Sequence, residues 1–176
     1  NTAVCHANNK HLWKEHPMSG FDEICLKFYK DKTMDRLNKF LSSRDESFLG
    51  SHTVNGTKVE SIENLLKVFD WDRVCDGIPT EVFHLLDWRQ NFGGGDVGDV
   101  YYDLAKMYGG ILMSYKFMKD EDNFSCFIDD NIVSYYHLTD VKLEDFRPIY
   151  ERWVVKSGYD LDKVKLITAL IFLNMS

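Results

Sequence analysis

The sequence predicts an α+β fold, mostly helical, with a short strand group near Phe83 to Trp88 and a β-hairpin near Phe124 to Leu138. Two observations carry this. Apolar residues recur at three- and four-residue spacing over most of the chain, the rhythm of amphipathic helices. Two stretches break it: the dense run Val82 to Trp88, which suits a buried strand, and the pair Phe124 to Ile128 and Ile132 to Leu138, which flank the turn residues Asp129-Asp130-Asn131.

Residues 1–20 carry His6, His11 and His16 in polar surroundings and read as an irregular lead-in. Their spacing of five scatters the rings around a helix, so solvated histidines are expected rather than a metal site. From Phe21 the positions Phe21, Ile24, Cys25, Phe28, Met34, Leu37, Phe40 and Leu41 form one helical stripe, jointed near Asp31. Val54-Asn55-Gly56-Thr57 has the form of a tight hairpin, because Asn-Gly accepts the positive φ angles such turns need. Ser61 offers an N-cap to a helix holding Ile62, Leu65, Leu66 and Phe69. Asp99 is placed to cap a buried helix over about 100–119, Thr139 one holding Phe146 and Trp153, and Asp160 the last helix. The predicted core contains Phe28, Leu37, Leu65, Phe69, Leu86, Leu104, Ile111, Trp153 and Ile167.

Composition narrows the functional classes. With 44% hydrophobic residues among 176 the chain holds enough apolar surface for a sizeable core, and global disorder is excluded. The 28 acidic and 21 basic side chains leave a formal charge of −7, with no basic run longer than two, so no nucleic-acid partner is expected. Cys5, Cys25, Cys75 and Cys126 form no Cys-x-x-Cys pair and read as reduced thiols. The three glycosylation sequons, at Asn55, Asn123 and Asn174, have no leader peptide ahead of them and are read as chance matches. The longest apolar run, Leu166 to Leu173, is too short to span a bilayer, so a cytoplasmic protein is expected.

The acidic residues after Leu85-Leu86 are the one constellation that suggests chemistry. A carboxylate at a strand end, followed by the turn Gly93-Gly94-Gly95, is a recurrent way to hold Mg²⁺ against a nucleotide phosphate, since the hard cation prefers rigidly held oxygens. On residues alone, Asp87 serves equally as a loop anchor. Asp87, Asp96 and Asp99 can also be grouped as a metal-dependent hydrolase site, with His84 its only histidine candidate.

Leu85-Leu86-Asp87-Trp88, the Gly-rich turn and Gly98-Asp99-x-x-Tyr102-Asp103-Leu104-Ala105 together resemble the signature of aminoglycoside phosphotransferase and choline kinase-like small-molecule kinases. The finer form, Asp87-Trp88-Arg89-Gln90-Asn91-Phe92-Gly93-Gly94, is similar to kinase-like proteins of bacterial capsule and surface-polysaccharide gene clusters. The resemblance implies the C-terminal lobe of a protein-kinase-like fold over residues 21–176 and an ATP- and Mg²⁺-dependent phosphotransferase. The implied acceptor is a small-molecule hydroxyl on a sugar, amino alcohol or nucleotide-linked precursor. It makes Asp87 the metal ligand and Asp99 and Asp103 braces of the catalytic loop; Trp88, Arg89 and Tyr102 lie near enough in sequence to line an acceptor pocket, with packing or surface positions the competing reading for each.

The departures are equally specific. The family's His-Gly-Asp-x-x-x-x-Asn loop is missing, because Phe83-His84 runs directly into Leu85-Leu86-Asp87. The resemblance therefore implies residues absent around His84, which would begin that loop, and an absent N-terminal lobe. Two lobes need on the order of 250 residues. The competing expectation is a catalytically degenerate kinase-like module used for binding or scaffolding.

Overall fold

In a computed structural model of the chain, the structure describes residues 18–43, 50–81, 92, 97–118 and 120–175. The first helical stripe is continuous from Phe21 to Leu41. It comprises α1 (Phe21–Cys25), a π-helical stretch (Leu26–Asp31) and α2 (Lys32–Leu41). The joint expected near Asp31 is thus a change of winding that keeps Phe21, Cys25, Tyr29, Thr33 and Leu37 buried. Strands β1 (His52–Val54) and β2 (Thr57–Val59) form the expected Asn-Gly hairpin, with Asn55 and Gly56 at φ 47° and 78°.

Two short helices follow, α3 (Ile62–Lys67) and α4 (Trp71–Cys75). The Ser61 side chain accepts from the Asn64 amide, as its N-cap position predicts. Leu65 does not join the core. It is 39% exposed, because a helix this short turns only Leu66 fully inward, and Phe69 lies past the helix end, half-buried against Trp71. Strand β3 (Pro79–Glu81) pairs antiparallel with β4 (Val97–Asp99), setting Pro79 opposite Asp99 and Glu81 opposite Val97. The strand expected over Phe83 to Trp88, with core residue Leu86, lies outside the described residues, as does the lead-in up to Pro17.

The central helix α5 (Val100–Leu112) is shorter than expected. The chain turns extended at Met113 and resumes as one short turn, α6 (Tyr115–Met118). Adjacent Gly109 and Gly110 weaken its last turn, since glycine forfeits more backbone entropy than other residues in a helix. Val100, Tyr101, Leu104, Ala105, Tyr108, Gly109 and Ile111 are all buried. Full burial of a side chain such as Leu104 stabilises the fold by about 2–3 kcal/mol.

Around α5 stand α7 (Val141–Lys156) and α8 (Leu161–Leu173). The Tyr150 hydroxyl donates to the Leu104 carbonyl at 2.9 Å, and the Thr168 hydroxyl to that of Ala105 at 3.1 Å. Gly109 lets α8 approach closely, since a Cβ there would stand 3.3 Å from the Phe172 ring. Helix α7 is capped by Asp140 rather than Thr139: the Asp140 carboxylate accepts from the Lys142 amide at 3.0 Å. Asp160 caps α8 as expected, accepting from the amides of Asp162 and Lys163.

Strands β5 (Phe124–Asp129) and β6 (Ile132–His137) form the second hairpin. Beyond the two hairpins, β1 pairs parallel with β6, giving one mixed sheet in the order β2-β1-β6-β5. Among the described residues no helix is long and apolar enough to cross a membrane.

Candidate functional site

The site grows from the β4–α5 junction. The chain leaves the β3–β4 ladder at Asp99 and enters α5, so the Asp99 carboxylate meets the unpaired amides at the helix start. Its Oδ1 accepts from the Tyr101 amide and the Ile78 amide, each at 3.1 Å, and its Oδ2 from the Tyr29 hydroxyl at 2.8 Å. One carboxylate thus ties the π-helical stretch, the chain entering β3 and the start of α5. The group is 1% exposed. Burial raises its pKa above the ordinary aspartate value, and nearby Lys163, the Tyr29 hydroxyl and the two amides hold that rise in check.

Lys163 is itself buried on the first turn of α8. Its Nζ donates to the Asp76 carbonyl and lies 4.1 Å from the centre of the Tyr101 ring. The Tyr101 hydroxyl accepts from the Asp160 amide at 3.1 Å, and Asp160 pairs with Arg73 at 2.7 Å. Burial alone would raise the Asp160 pKa, but Arg73 and the capped amides carry it below the usual carboxylate range.

Asp103 stands one turn beyond Asp99 on the same side of α5. Burial, and then the charge of Asp99, push its pKa up to about 8. No hydrogen bond or ion pair holds its carboxyl among the described residues, so near neutrality it is a protonated acid. Tyr102, half-buried, meets the Phe28 ring edge-on at 5.3 Å. With Phe28, Lys32, Lys106 and Asn174 it lines a cavity of about 50 Å³. Asn174 Oδ1, buried there, has no donor among the described residues.

Phe92 is an unanticipated anchor. It is 4% exposed and packs against Phe28 at 4.2 Å, Tyr29 at 5.7 Å and Phe21 at 5.9 Å. The β3–β4 ladder brings together Glu81 and Val97, the residues that flank segment 82–96 in sequence. Its other singled-out residues, His84, Asp87, Trp88, Arg89 and Asp96, lie outside the described residues.

The arrangement defines what Asp99 and Asp103 can do. Both Asp99 oxygens accept hydrogen bonds, two of them from backbone amides, so it positions backbone. Among the described residues no group of three or more His, Cys, Asp or Glu side chains is placed to hold a metal. Asp87 and Asp96, the other carboxylates of the expected hydrolase grouping, lie outside the described residues. Cys25 and Cys75 are buried free thiols, and burial raises both pKa values, that of Cys75 to about 11, which favours the protonated thiol near neutral pH.

Sequence reasoning missed Tyr29, Phe92 and Lys163. Tyr29 lay one position off the stripe taken as the buried face, Phe92 stood alone between polar residues and glycines, and Lys163 looked like an ordinary first-turn cation. No family model, curated protein or solved structure matches the chain.

Proposed function

We propose that this chain is the C-terminal-lobe part of a phosphotransferase that uses ATP and Mg²⁺ to phosphorylate a hydroxyl of a small molecule, a sugar, an amino alcohol or a nucleotide-linked precursor. The supporting observation is the triple engagement of Asp99. A buried carboxylate at the start of a core helix holds the Ile78 amide, directly before the segment bearing Asp87, which is the bracing role the resemblance assigns to that aspartate. In this reading Asp87 is the Mg²⁺ ligand, Asp103 supports the same helix, and Tyr102 contributes to the acceptor side together with Trp88 and Arg89. The base that orients the acceptor hydroxyl belongs to a His-Gly-Asp loop that these residues do not contain.

The test is transfer of radiolabelled phosphate from ATP by the full-length protein to a panel of sugars and amino alcohols. Transfer that is lost in Asp87→Ala supports the proposal, and undiminished transfer in that variant overturns it. The second reading is a catalytically silent kinase-like module, favoured by the direct run of His84 into Leu85. It predicts no transfer by the full-length protein, and a reading frame in which His84 and Leu85 are truly adjacent.

A further inference from the structure

The β5–β6 hairpin is paired on one side only. The amides of Thr53 and Asn55 donate to the carbonyls of Asn131 and Val133, each at 2.8 Å, so the odd-numbered residues of β6 direct their main-chain groups toward β1. The even-numbered ones, Ile132, Ser134 and Tyr136, face β5 and use its residues Asp129, Phe127 and Ser125. Main-chain groups of Phe124, Cys126 and Ile128 therefore project from the outer edge of the sheet. The Phe124 amide closes back on the Glu121 carbonyl. Its carbonyl, and both groups of Cys126 and Ile128, take part in no hydrogen bond among the described residues.

Every residue of β5 is exposed, including Phe124 at 53%, Phe127 at 65% and Ile128 at 60%. Proteins that keep such an edge solvated blunt it with lysine, proline or a bulge. Strand β5 has none of these, and its six residues pair with β6 in unbroken register. The edge is also bracketed by charge of one sign. Asp120, Glu121 and Asp122 precede it, Asp129 and Asp130 close it, and no Lys or Arg occurs from Asp120 to Val141. A second copy pairing antiparallel about Cys126 would set its own Asp130 against Asp122, acid against acid, which disfavours self-association.

We propose that β5 is a docking edge for an extended segment of another protein, apolar at alternate positions and carrying lysine or arginine at both ends, which adds to the sheet as a fifth strand. Hydrogen bonds to Cys126 and Ile128 hold the segment. Phe124 and Ile128 contact it on one face of the sheet and Phe127 on the other, while the acidic ends select its basic ones.

The probe is the acetylated, amidated peptide Lys-Lys-Val-Thr-Val-Thr-Val-Lys-Lys, beside a counterpart with glutamate for every lysine, and the readout is amide hydrogen exchange of the protein by NMR. The lysine peptide slows exchange at Cys126 and Ile128, and the glutamate peptide does not. Cys126→Pro removes an outward amide without taking one from the β6 ladder, and it weakens binding about tenfold, the equivalent of one hydrogen bond. Asp122→Lys combined with Asp129→Lys largely abolishes the preference between the peptides, and decides the matter if the proline variant loses its β6 signals. Equal protection of the parent protein by both peptides, none by either, or unchanged affinity in Cys126→Pro with an undiminished preference in the double variant overturns the proposal. So does protection that rises with protein concentration alone, which would make the occupant a second copy.

Discussion

Replacing Asp103 by asparagine should change how stability depends on pH. In the fold the Asp103 carboxyl holds its proton up to about pH 8, because burial and then the neighbouring Asp99 disfavour its charge. In the unfolded chain it ionises near pH 4. Between these values the folded state binds a proton that the unfolded state has released. Stability is therefore full below about pH 4 and falls as pH rises through the window, with the loss complete above about pH 8. A shift of roughly four units at about 1.36 kcal/mol each sets a ceiling of ~6 kcal/mol. Asp103 is only half-buried, and the water it still reaches brings a realistic figure to ~2–3 kcal/mol. Asparagine has nearly the same shape and no charge to bury. Urea unfolding from pH 4.5 to 8.5, followed by tryptophan fluorescence, should find Asp103→Asn more stable than the parent by ~2–3 kcal/mol at the alkaline end and within ~1 kcal/mol of it at the acid end. Parallel stability profiles for the two proteins would refute the reasoning, as would an Asp103 carboxyl that titrates near pH 4 by NMR.

Further substitutions probe the packing. Gly77→Ala should destabilise by ~1–3 kcal/mol in thermal unfolding, because its Cβ would stand 2.5 Å from Cys25 Sγ and 2.7 Å from the Phe21 ring; the double variant with Cys25→Ala should recover part of the loss. Asp99→Ala should cost ~3 kcal/mol or more, since it strands the buried amides of Ile78 and Tyr101 and leaves the Lys163 cation without its carboxylate; hydrogen exchange at Ile78 and Tyr101 should accelerate. Leu104→Ala should cost ~3 kcal/mol by denaturant unfolding, whereas Leu65→Ala should stay within ~1 kcal/mol, in line with burial at 1% and 39% exposure.

Local signals in the sequence were legible where they rest on short-range chemistry. Asn55-Gly56 directs its turn through the positive φ angles it accepts, Ser61, Asp99 and Asp160 each direct a cap through bonds to residues two or three positions away, and all four act as read. The exchange of Thr139 for Asp140 as cap is a one-residue error between two side chains able to do the same work. What depends on long-range pairing was not legible. The parallel contact of β1 with β6 joins hairpins some eighty residues apart, and nothing in either strand names the other. In the same way Asp99 was read as a cap, but its bond to Tyr29 and its proximity to Lys163 arise only when three distant elements meet. Helix α5 was overextended because apolar residues continue past Leu112, whereas Met113 is extended and the paired Gly109 and Gly110 weaken the last turn.

The proposed function assigns to Asp87 a divalent cation on a nucleotide and to Asp99 and Asp103 the bracing of helix α5. Electron paramagnetic resonance of Mn²⁺, titrated into the full-length protein with ATP, tests this most directly, since free and bound Mn²⁺ give distinct signals and no acceptor need be known. If Asp87 is the ligand, Mn²⁺ binding depends on nucleotide, is lost in Asp87→Asn and is kept in Asp103→Asn. Equal binding by Asp87→Asn and the parent protein, or loss of the site in Asp103→Asn alone, would contradict it.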